Sequence, residues 1–250
     1  MRRAVGFTLI ELITVIVIVA VVAVIGTQFI VSAMESYQLT QNRARLAATG
    51  RQAIERISRQ IRAAMPYSLR ATNTDNCVQF MPLAAGGFYR QPVPTDTPVS
   101  SLSTSPYTID FDTADYIAIG ALSAGELYGT SPRSLAAVTA TAPTSVSFAS
   151  HTWQRNSESQ RFYLVGRPQA FCLVAGELRF YQDLDPAGDN VSTGAPYSLL
   201  ARNAVASATP AFVVSGNTAE NNFRVTLNLG FAEGGEQVDF FQEVALRNVP

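Results

Sequence analysis

The first 31 residues carry a hydrophobic pattern that the rest of the chain does not repeat. Residues 7–31 are almost continuously apolar, and Glu11 is their only charged residue. A helix of this length measures roughly 37 Å, because each residue adds about 1.5 Å, whereas the hydrocarbon core of a bilayer is about 30 Å thick. The pattern therefore predicts one membrane-spanning helix.

The flanking charges predict the orientation of this helix. Arg2 and Arg3 precede the apolar run, and the next charged residue after it is Glu35. Because basic residues are enriched on the cytoplasmic side of membrane helices, we expect the N-terminus to lie in the cytoplasm. The chain from Glu35 onward is then expected outside the cytoplasm, in a single-pass arrangement.

Helical spacing continues beyond the apolar run. Small and apolar residues recur in steps of three and four, which is typical of one face of an amphipathic helix. This face contains Ala47, Gly50, Ile54, Ile57, Ile61 and Ala64, and the other side carries Arg51, Glu55, Arg59 and Arg62. Pro66 ends the pattern because the residue before a proline leaves helical geometry. We expect one helix over residues 7–65, with any bend near Gly26 or Gly50.

From residue 67 the pattern changes to short apolar or alternating runs that are typical of strands. Such runs occupy 77–81, 107–111, 116–119, 161–165, 169–174, 177–182, 212–214, 223–229 and 237–246. Residues 175–176 and 233–235 predict hairpin turns, whereas 82–106 and 131–145 are rich in proline and small residues and are expected to be loops. The predicted fold class is α+β, with a long N-terminal helix packed on an antiparallel sheet.

Composition excludes most kinds of active site. The chain has 18 basic residues, all of them Arg, with 19 acids, one His, two Cys and a net charge of −1. Without Lys there is no P-loop lysine or Schiff-base lysine, and one His with two Cys cannot form a usual zinc site. We therefore expect no enzyme activity and no cofactor. The near-neutral charge gives no reason to expect a nucleic acid partner.

The two cysteines are the only candidates for a disulfide. Cys77 and Cys172 are far apart in the chain, and both belong to the part that is expected outside the cytoplasm. Oxidising compartments favour disulfides, so we predict this bond, with two buried thiols as the alternative.

Acidic clusters are the weak candidates for a metal site. Asp183, Asp185 and Asp189 supply oxygen ligands around a glycine, which is chemistry that suits Ca²⁺. Their spacing does not match an EF-hand loop, so we favour a polar turn between strands. Asp110, Asp112 and Asp115 form a similar group, and we expect their side chains to be exposed to solvent. His151 with Trp153 is either a surface contact patch or a partly buried pair.

Charge is distributed unevenly along the chain. Residues 43–70 contain seven Arg and one Glu, whereas residues 71–250 carry nine Arg against 16 acids. The basic segment is interpreted first as a solvated helix face, with neighbouring subunits, anionic lipid or DNA as alternative partners. This difference in charge could align the basic helix of one molecule with the acidic head of a neighbouring molecule, although exposed charges are screened within about 8–10 Å.

Glu11 separates three interpretations of the N-terminus. A cleaved signal peptide, with 31–33 as the cleavage site, and a plain signal anchor both explain the apolar run. Neither explains a carboxylate within the span, where a charge left unpaired costs about 2–3 kcal/mol or more. An intramembrane carboxylate indicates a specific partner.

The third interpretation supplies that partner. The residues Gly6, Phe7, Thr8, Leu9, Ile10 and Glu11 follow a short basic leader and precede the apolar run. This motif resembles the prepilin leader of type IV pilins and of type II secretion pseudopilins. The resemblance implies cleavage between Gly6 and Phe7 by a prepilin peptidase, methylation of the new Phe7 amine, and pairing of Glu11 with the N-terminal amine of a neighbouring subunit. The chain is then a substrate of the peptidase and not an enzyme.

The same resemblance implies a pilin-like organisation. It places a leader at 1–6, a transmembrane and filament-core helix at 7–31, an amphipathic helix at 32–65 and a β-rich head outside the cytoplasm at 66–250. The implied partners are other pilin and minor pilin subunits, the prepilin peptidase and methyltransferase, and the inner-membrane assembly machinery. The implied location is the bacterial inner membrane and then a pilus or pseudopilus.

The size of the head favours a minor subunit. The head and the C-terminal residues 242–250 resemble minor pilins of the mannose-sensitive haemagglutinin (MSHA) pilus, of the MshO type, which prime or cap a filament. Two alternatives stay open: a minor pseudopilin of the J type in a type II secretion system, and a signal-anchored periplasmic binding domain.

Overall fold

The computed structural model describes residues 8–109, 113–216 and 223–246. One helix, α1, runs from Leu9–Arg62, with Thr8 in extended geometry before it and Ala63 after it. It contains no proline, and Arg59 and Arg62 in its last turn suit the negative end of the helix dipole. The long helix predicted from periodicity is thus confirmed as one continuous element, although it ends three residues before the predicted boundary.

The C-terminal half of α1 packs on the head. Its buried residues are Leu46, Gly50, Ala53, Ile54, Ile57, Ser58 and Ile61. The predicted apolar face is confirmed except at Ala47, which is half-buried because the neighbouring Leu46 takes the inward position. The side predicted to be solvated is exposed at Arg51, Glu55, Arg59 and Arg62.

The described head consists of strands with one short 3₁₀ turn. The strands are β1 (Arg70–Thr72), β2 (Cys77–Phe80), β3 (Leu83–Phe88), β4 (Val99–Ser103), β5 (Tyr116–Ile119), β6 (Leu135–Ala142), β7 (Ser145–His151), β8 (Arg161–Val165), β9 (Gln169–Val174), β10 (Glu177–Tyr181), β11 (Ser198–Arg202), β12 (Ala204–Ala206), β13 (Phe212–Ser215), β14 (Arg224–Glu233) and β15 (Glu236–Ala245). The turn is Ala124–Glu126. All the strand pairs are antiparallel, so the predicted α+β class is confirmed.

The strands form three sheets where one was predicted. The first has the order β1-β2-β9-β10-β11. In the second, β14 pairs with β15 along one edge and with β12 and β13 along the other. The helix packs against β14 and β15 and touches β11, so the first two sheets share one core beneath α1. The aromatic rings of Phe80, Phe171 and Phe180 stack within this core.

The third sheet is an insertion with a core of its own. Its order is β3-β8-β5-β6-β7-β4, and Tyr89 after β3 pairs with Thr104 after β4, so that the sheet closes on itself. All six strands lie between β2 and β9, which are direct neighbours in the first sheet. We call this unit the inserted barrel. Its interior is filled by Ile117, Phe148, Trp153, Phe162 and Leu164, all of them buried.

Two segments that were predicted to be loops contain strands instead. These strands have few large side chains, so they give little hydrophobic pattern in the sequence. The segment 82–106 contains β3 and β4, and the segment 131–145 contains β6. In β6, with the sequence LAAVTATA, only Leu135 and Ala136 are buried, so its side chains give little hydrophobic alternation. The opposite error occurs at 107–109, where the predicted strand is irregular chain; its last two residues lie outside the described ranges.

Candidate functional site

The described part of the candidate motif begins α1. Thr8 precedes the helix, and its carbonyl accepts the N–H groups of Glu11 and Leu12 at 3.2 and 3.3 Å. Glu11 lies in the first helical turn, where a carboxylate is favoured by the helix dipole. Leu9, Ile10 and Glu11 are all exposed. Gly6 and Phe7, between which cleavage is expected, lie outside the described residues.

The helix around this motif is a large apolar surface that the head does not cover. Every residue from Thr8 to Gln41 is exposed. An 18-residue window of α1 has a mean hydropathy of 3.0 and is 0% buried, so by length and composition α1 could cross a membrane. Soluble monomers rarely expose apolar patches of this size, which indicates that lipid or protein covers the segment.

Two threonine hydroxyls within the apolar segment bond to carbonyl oxygens of the helix itself. The hydroxyl of Thr14 donates to the carbonyl oxygens of Ile10 and Glu11 at 3.1 and 2.9 Å, and that of Thr27 donates to Ala23 at 2.6 Å. These bonds remove the need for water at both threonines, as a hydrocarbon environment requires. Among the described residues, no side-chain hydrogen bond or ion pair is formed by the Glu11 carboxylate, which is the charged group of this segment.

The predicted disulfide is present. Cys77 and Cys172 are direct partners in the β2–β9 ladder, with Cα atoms 4.1 Å apart, and both are fully buried. The bond closes a 95-residue separation that contains the inserted barrel. In the chain-entropy model such a loop adds about 4–5 kcal/mol of stability.

The acidic candidates do not form a metal cluster in the part of the chain that the structure describes. Asp183, Asp185 and Asp189 lie in the loop between β10 and β11, and an Asp185 oxygen accepts the Ala187 N–H at 2.9 Å, as in a polar turn. Asp115 accepts the Thr113 hydroxyl. Asp110 and Asp112 lie outside the described ranges.

His151 and Trp153 are a partly buried pair. Their ring centroids are 4.6 Å apart, and Trp153 is fully buried in the inserted barrel. The Nε2 atom of His151 lies 3.2 Å from the carbonyl oxygen of Arg133, which identifies Nε2 as the donor. His151 lines one side of a groove of about 570 Å³ between the inserted barrel and residues 185–187.

Sequence reasoning missed two half-buried side-chain clusters, each built around an arginine, because their partners are distant in the chain. The Arg70 guanidinium lies 3.8 Å from the Tyr128 ring centroid, donates to the Gln79 side chain at 2.8 Å and donates to the Gly188 carbonyl. Burial lowers the pKa of Arg70 and raises that of Tyr128, whose hydroxyl donates to Ser68. This cluster ties the first sheet to the inserted barrel.

The second cluster joins Glu126 and Arg155. The guanidinium donates to both carboxylate oxygens, at 2.6 and 3.0 Å, and the Leu122 N–H and Ser134 hydroxyl complete the shell. Burial acts to raise the pKa of Glu126, but the hydrogen bonds from Arg155 and Leu122 outweigh it and the pKa is lowered. Both clusters serve structural roles in the head.

Comparison with known proteins agrees with the geometry at the N-terminus. Residues 1–27 match the family model described as the prokaryotic N-terminal methylation motif. No curated protein sequence and no solved structure matches the chain significantly. The motif supports a type IV pilin-like family, whose role is structural rather than catalytic. A single N-terminal apolar helix together with this motif is consistent with a pilin anchored in the inner membrane.

Proposed function

We propose that this chain is a minor pilin that helps to prime or cap a type IV pilus of the MSHA-like kind. One observation carries the proposal: an exposed apolar helix with a single carboxylate, Glu11, in its first turn projects from a disulfide-bonded head. The methylation motif at residues 1–27 supports the same conclusion. The MSHA-like assignment rests on the resemblance of the head and C-terminal residues alone.

In this proposal the chain is divided by function. Residues 1–6 are a leader, 7–31 span the membrane and later the filament core, 32–65 continue the helix into the head, and 66–250 form the head outside the cytoplasm. The peptidase cuts between Gly6 and Phe7 on the cytoplasmic side, and the new Phe7 amine is methylated. The partners are other pilin subunits, the peptidase and methyltransferase, and the inner-membrane assembly machinery.

Glu11 is the assembly residue in this proposal. A carboxylate and an ammonium group are each unfavourable alone in hydrocarbon, and pairing lets each compensate the other. The N-terminal amine of a neighbouring subunit supplies the cation, and the pair sets the register between adjacent helices. The apolar surface of residues 9–31 is then covered by other helices of the same kind.

A minor pseudopilin of a type II secretion system is the second candidate. The same helix, leader motif and Glu11 support it equally, since the two classes share the leader motif. A signal-anchored binding domain is the third, but it leaves Glu11 without a partner.

Fractionation of filaments tests the proposal. Filaments sheared from cells should contain the chain, and deletion of the prepilin peptidase should leave the chain in the inner membrane with its leader attached. Recovery of the chain only in membranes, in cells that assemble filaments normally, would contradict the filament role. Dependence of protein secretion rather than surface pili on the chain would select the pseudopilus.

A further inference from the structure

Two neighbouring strands of the inserted barrel, β6 and β7, separate at one end and leave a groove between them. Their last residue pair on this side joins Val138 to Phe148. Beyond this pair, β6 continues beside β5, whereas β7 continues beside β4. The groove of about 570 Å³ lies in this fork, and residues 129–133 and 185–187 form its walls. Its size is typical of a site for a small ligand.

The fork presents main-chain hydrogen-bonding groups to an extended ligand. The Val138 N–H donates to the carbonyl oxygen of Asp115 at 2.9 Å, and the Ser134 carbonyl accepts an N–H of β5 at 3.2 Å. Because successive main-chain groups of a strand point in opposite directions, those of Leu135 and Ala137 point toward the fork. An extended peptide can bind groups of this kind as an added strand segment.

One end of the groove is positively charged. Arg133 lines this end, and its carbonyl oxygen accepts the Nε2–H of half-buried His151 at 3.2 Å. This bond joins the end of β7 to the chain that leads into β6, so it holds Arg133 in place. Among the described residues that line the groove, Arg133 is the only arginine and Asp185 is the only acid.

The other end of the groove is negatively charged. Tyr116 lines this end, and it pairs with β6 at a point four residues, or roughly 13 Å, beyond Arg133. Burial raises the pKa of Tyr116, and Arg167 acts to lower it. The carboxylates of Asp185 and Asp115 raise this pKa further, so two acids and one arginine lie near the Tyr116 hydroxyl.

The two charged residues of the groove keep their charges available to a ligand. Among residues 8–109, 113–216 and 223–246, Arg133 and Asp185 form no ion pair, and both are exposed. A ligand that satisfies both ends carries a carboxylate and an ammonium group roughly 10 Å apart. An extended peptide of three residues has this length, because each residue spans at most about 3.3–3.6 Å.

We propose that this groove binds a short zwitterionic peptide of about three residues in an extended conformation. Its terminal carboxylate pairs with Arg133, its terminal ammonium group pairs with Asp185, and its main chain bonds to the groups of β6 that face the fork. A neutral saccharide has neither of these charges. Binding does not depend on the filament role, because α1 packs against β14 and β15 whereas the groove belongs to the inserted barrel.

Calorimetric titration of the full-length chain in detergent with trialanine tests this assignment. Trialanine with both termini free should bind, whereas N-acetyl-trialanine and trialanine amide, which each lack one charge, should bind roughly five- to tenfold more weakly. Maltotriose, a neutral saccharide of similar length, should not bind. Equal affinity for the charged and the capped peptides, no binding of trialanine at about 10 mM, or binding of maltotriose in its place would overturn the proposal.

Variants of the two charged residues assign each end of the peptide. Asp185→Asn should remove the effect of acetylation on affinity, and Arg133→Gln should remove the effect of amidation. Asp183→Asn, in the same loop as Asp185, and Arg202→Gln, exposed on β11, are the matched controls and should bind trialanine like the wild type. The fluorescence of Trp153, the only tryptophan of the chain, reports whether each variant folds. Equal losses in the controls, or full discrimination of the capped peptides by folded Asp185→Asn and Arg133→Gln, would contradict the site.

Discussion

Glu11 is a single carboxylate among apolar neighbours, at the start of a helix that the head leaves exposed as far as Gln41. The Thr14 and Thr27 hydroxyls bond to carbonyl oxygens of the preceding turn, whereas the Glu11 carboxylate has no hydrogen-bond partner among residues 8–109, 113–216 and 223–246. At the scale of single residues, Glu11 is therefore the charge for which the proposed filament role supplies a partner from another molecule.

Replacement of Glu11 should separate folding from assembly. Glu11→Ala removes a charge that disfavours the bilayer by about 2–3 kcal/mol, so the chain should still insert and form its head with the Cys77–Cys172 disulfide. Filament incorporation should be lost because the neighbouring amine has no counter-ion. Immunoblots of membrane and sheared-filament fractions measure both. Glu35→Ala, at an acid beyond the span, is the control and should incorporate normally; normal incorporation of Glu11→Ala would show that the pairing is dispensable.

Gly50 allows α1 to approach the second sheet closely. A Cβ atom at this position would lie 2.3 Å from the Phe240 ring and 2.9 Å from that of Phe231. Gly50→Val should therefore destabilise the head by about 1–3 kcal/mol through overpacking. Chemical unfolding in detergent measures the loss. Ala48→Val, on the exposed side of the same helix, should change stability by only a few tenths of a kcal/mol; equal losses would mean that α1 does not dock as described.

The ion pair of buried Glu126 and half-buried Arg155 should make stability depend on pH. Because the folded-state pKa of Glu126 is lowered, its contribution is complete above the ordinary glutamate pKa of about 4.3 and is lost as pH falls toward the lowered folded-state value. Glu126→Gln should destabilise the head near neutral pH by about 1–3 kcal/mol, through loss of charged hydrogen bonds. The difference in melting temperature between wild type and variant should shrink as pH falls from about 6 to about 3.

An exposed ion pair provides the comparison for that pH profile. Glu243→Gln breaks a pair with Arg224 whose side chains are 40% and 54% exposed, so its effect should be small at every pH. A difference in melting temperature between wild type and Glu126→Gln that stays constant with pH would contradict the structural role assigned to the ionised carboxylate.

At the scale of elements, sequence patterns predicted the helix better than the strands. The three- and four-residue spacing of Gly50, Ile54, Ile57 and Ile61 places all four on the buried side, because a helix is defined by local periodicity. The hairpins β9–β10 and β14–β15 were also predicted, since glycine turns separate adjacent apolar runs. Patterns of this kind can be recognised from neighbouring residues alone, without information about which distant strands pair.

The inserted barrel was not predicted because its pairing is not local. β3 pairs with β8 and β4 pairs with β7, so long stretches of chain separate the partners. The closing contact between Tyr89 and Thr104 leaves no periodic signal in the sequence. The Arg70 cluster has the same character, because the Gly188 carbonyl that it binds is 118 positions away.

At the scale of the whole molecule, the chain combines two parts with opposite requirements. The head buries its own core and fastens the base of the inserted barrel with a disulfide, whereas the first half of α1 leaves its apolar side chains uncovered. A helix anchored only by its C-terminal half can leave the bilayer and enter a helical assembly without disturbing the head. The proposed role as a filament subunit follows from that division.

The mass of the mature N-terminus is the most direct test of this account. Mass spectrometry of the chain purified from membranes should find that residues 1–6 are absent and that Phe7 is the N-terminal residue with one added methyl group. An intact Met1 would indicate a plain membrane anchor. A soluble chain that begins near Met34 would indicate a cleaved signal peptide, and either result would contradict the filament role of Glu11.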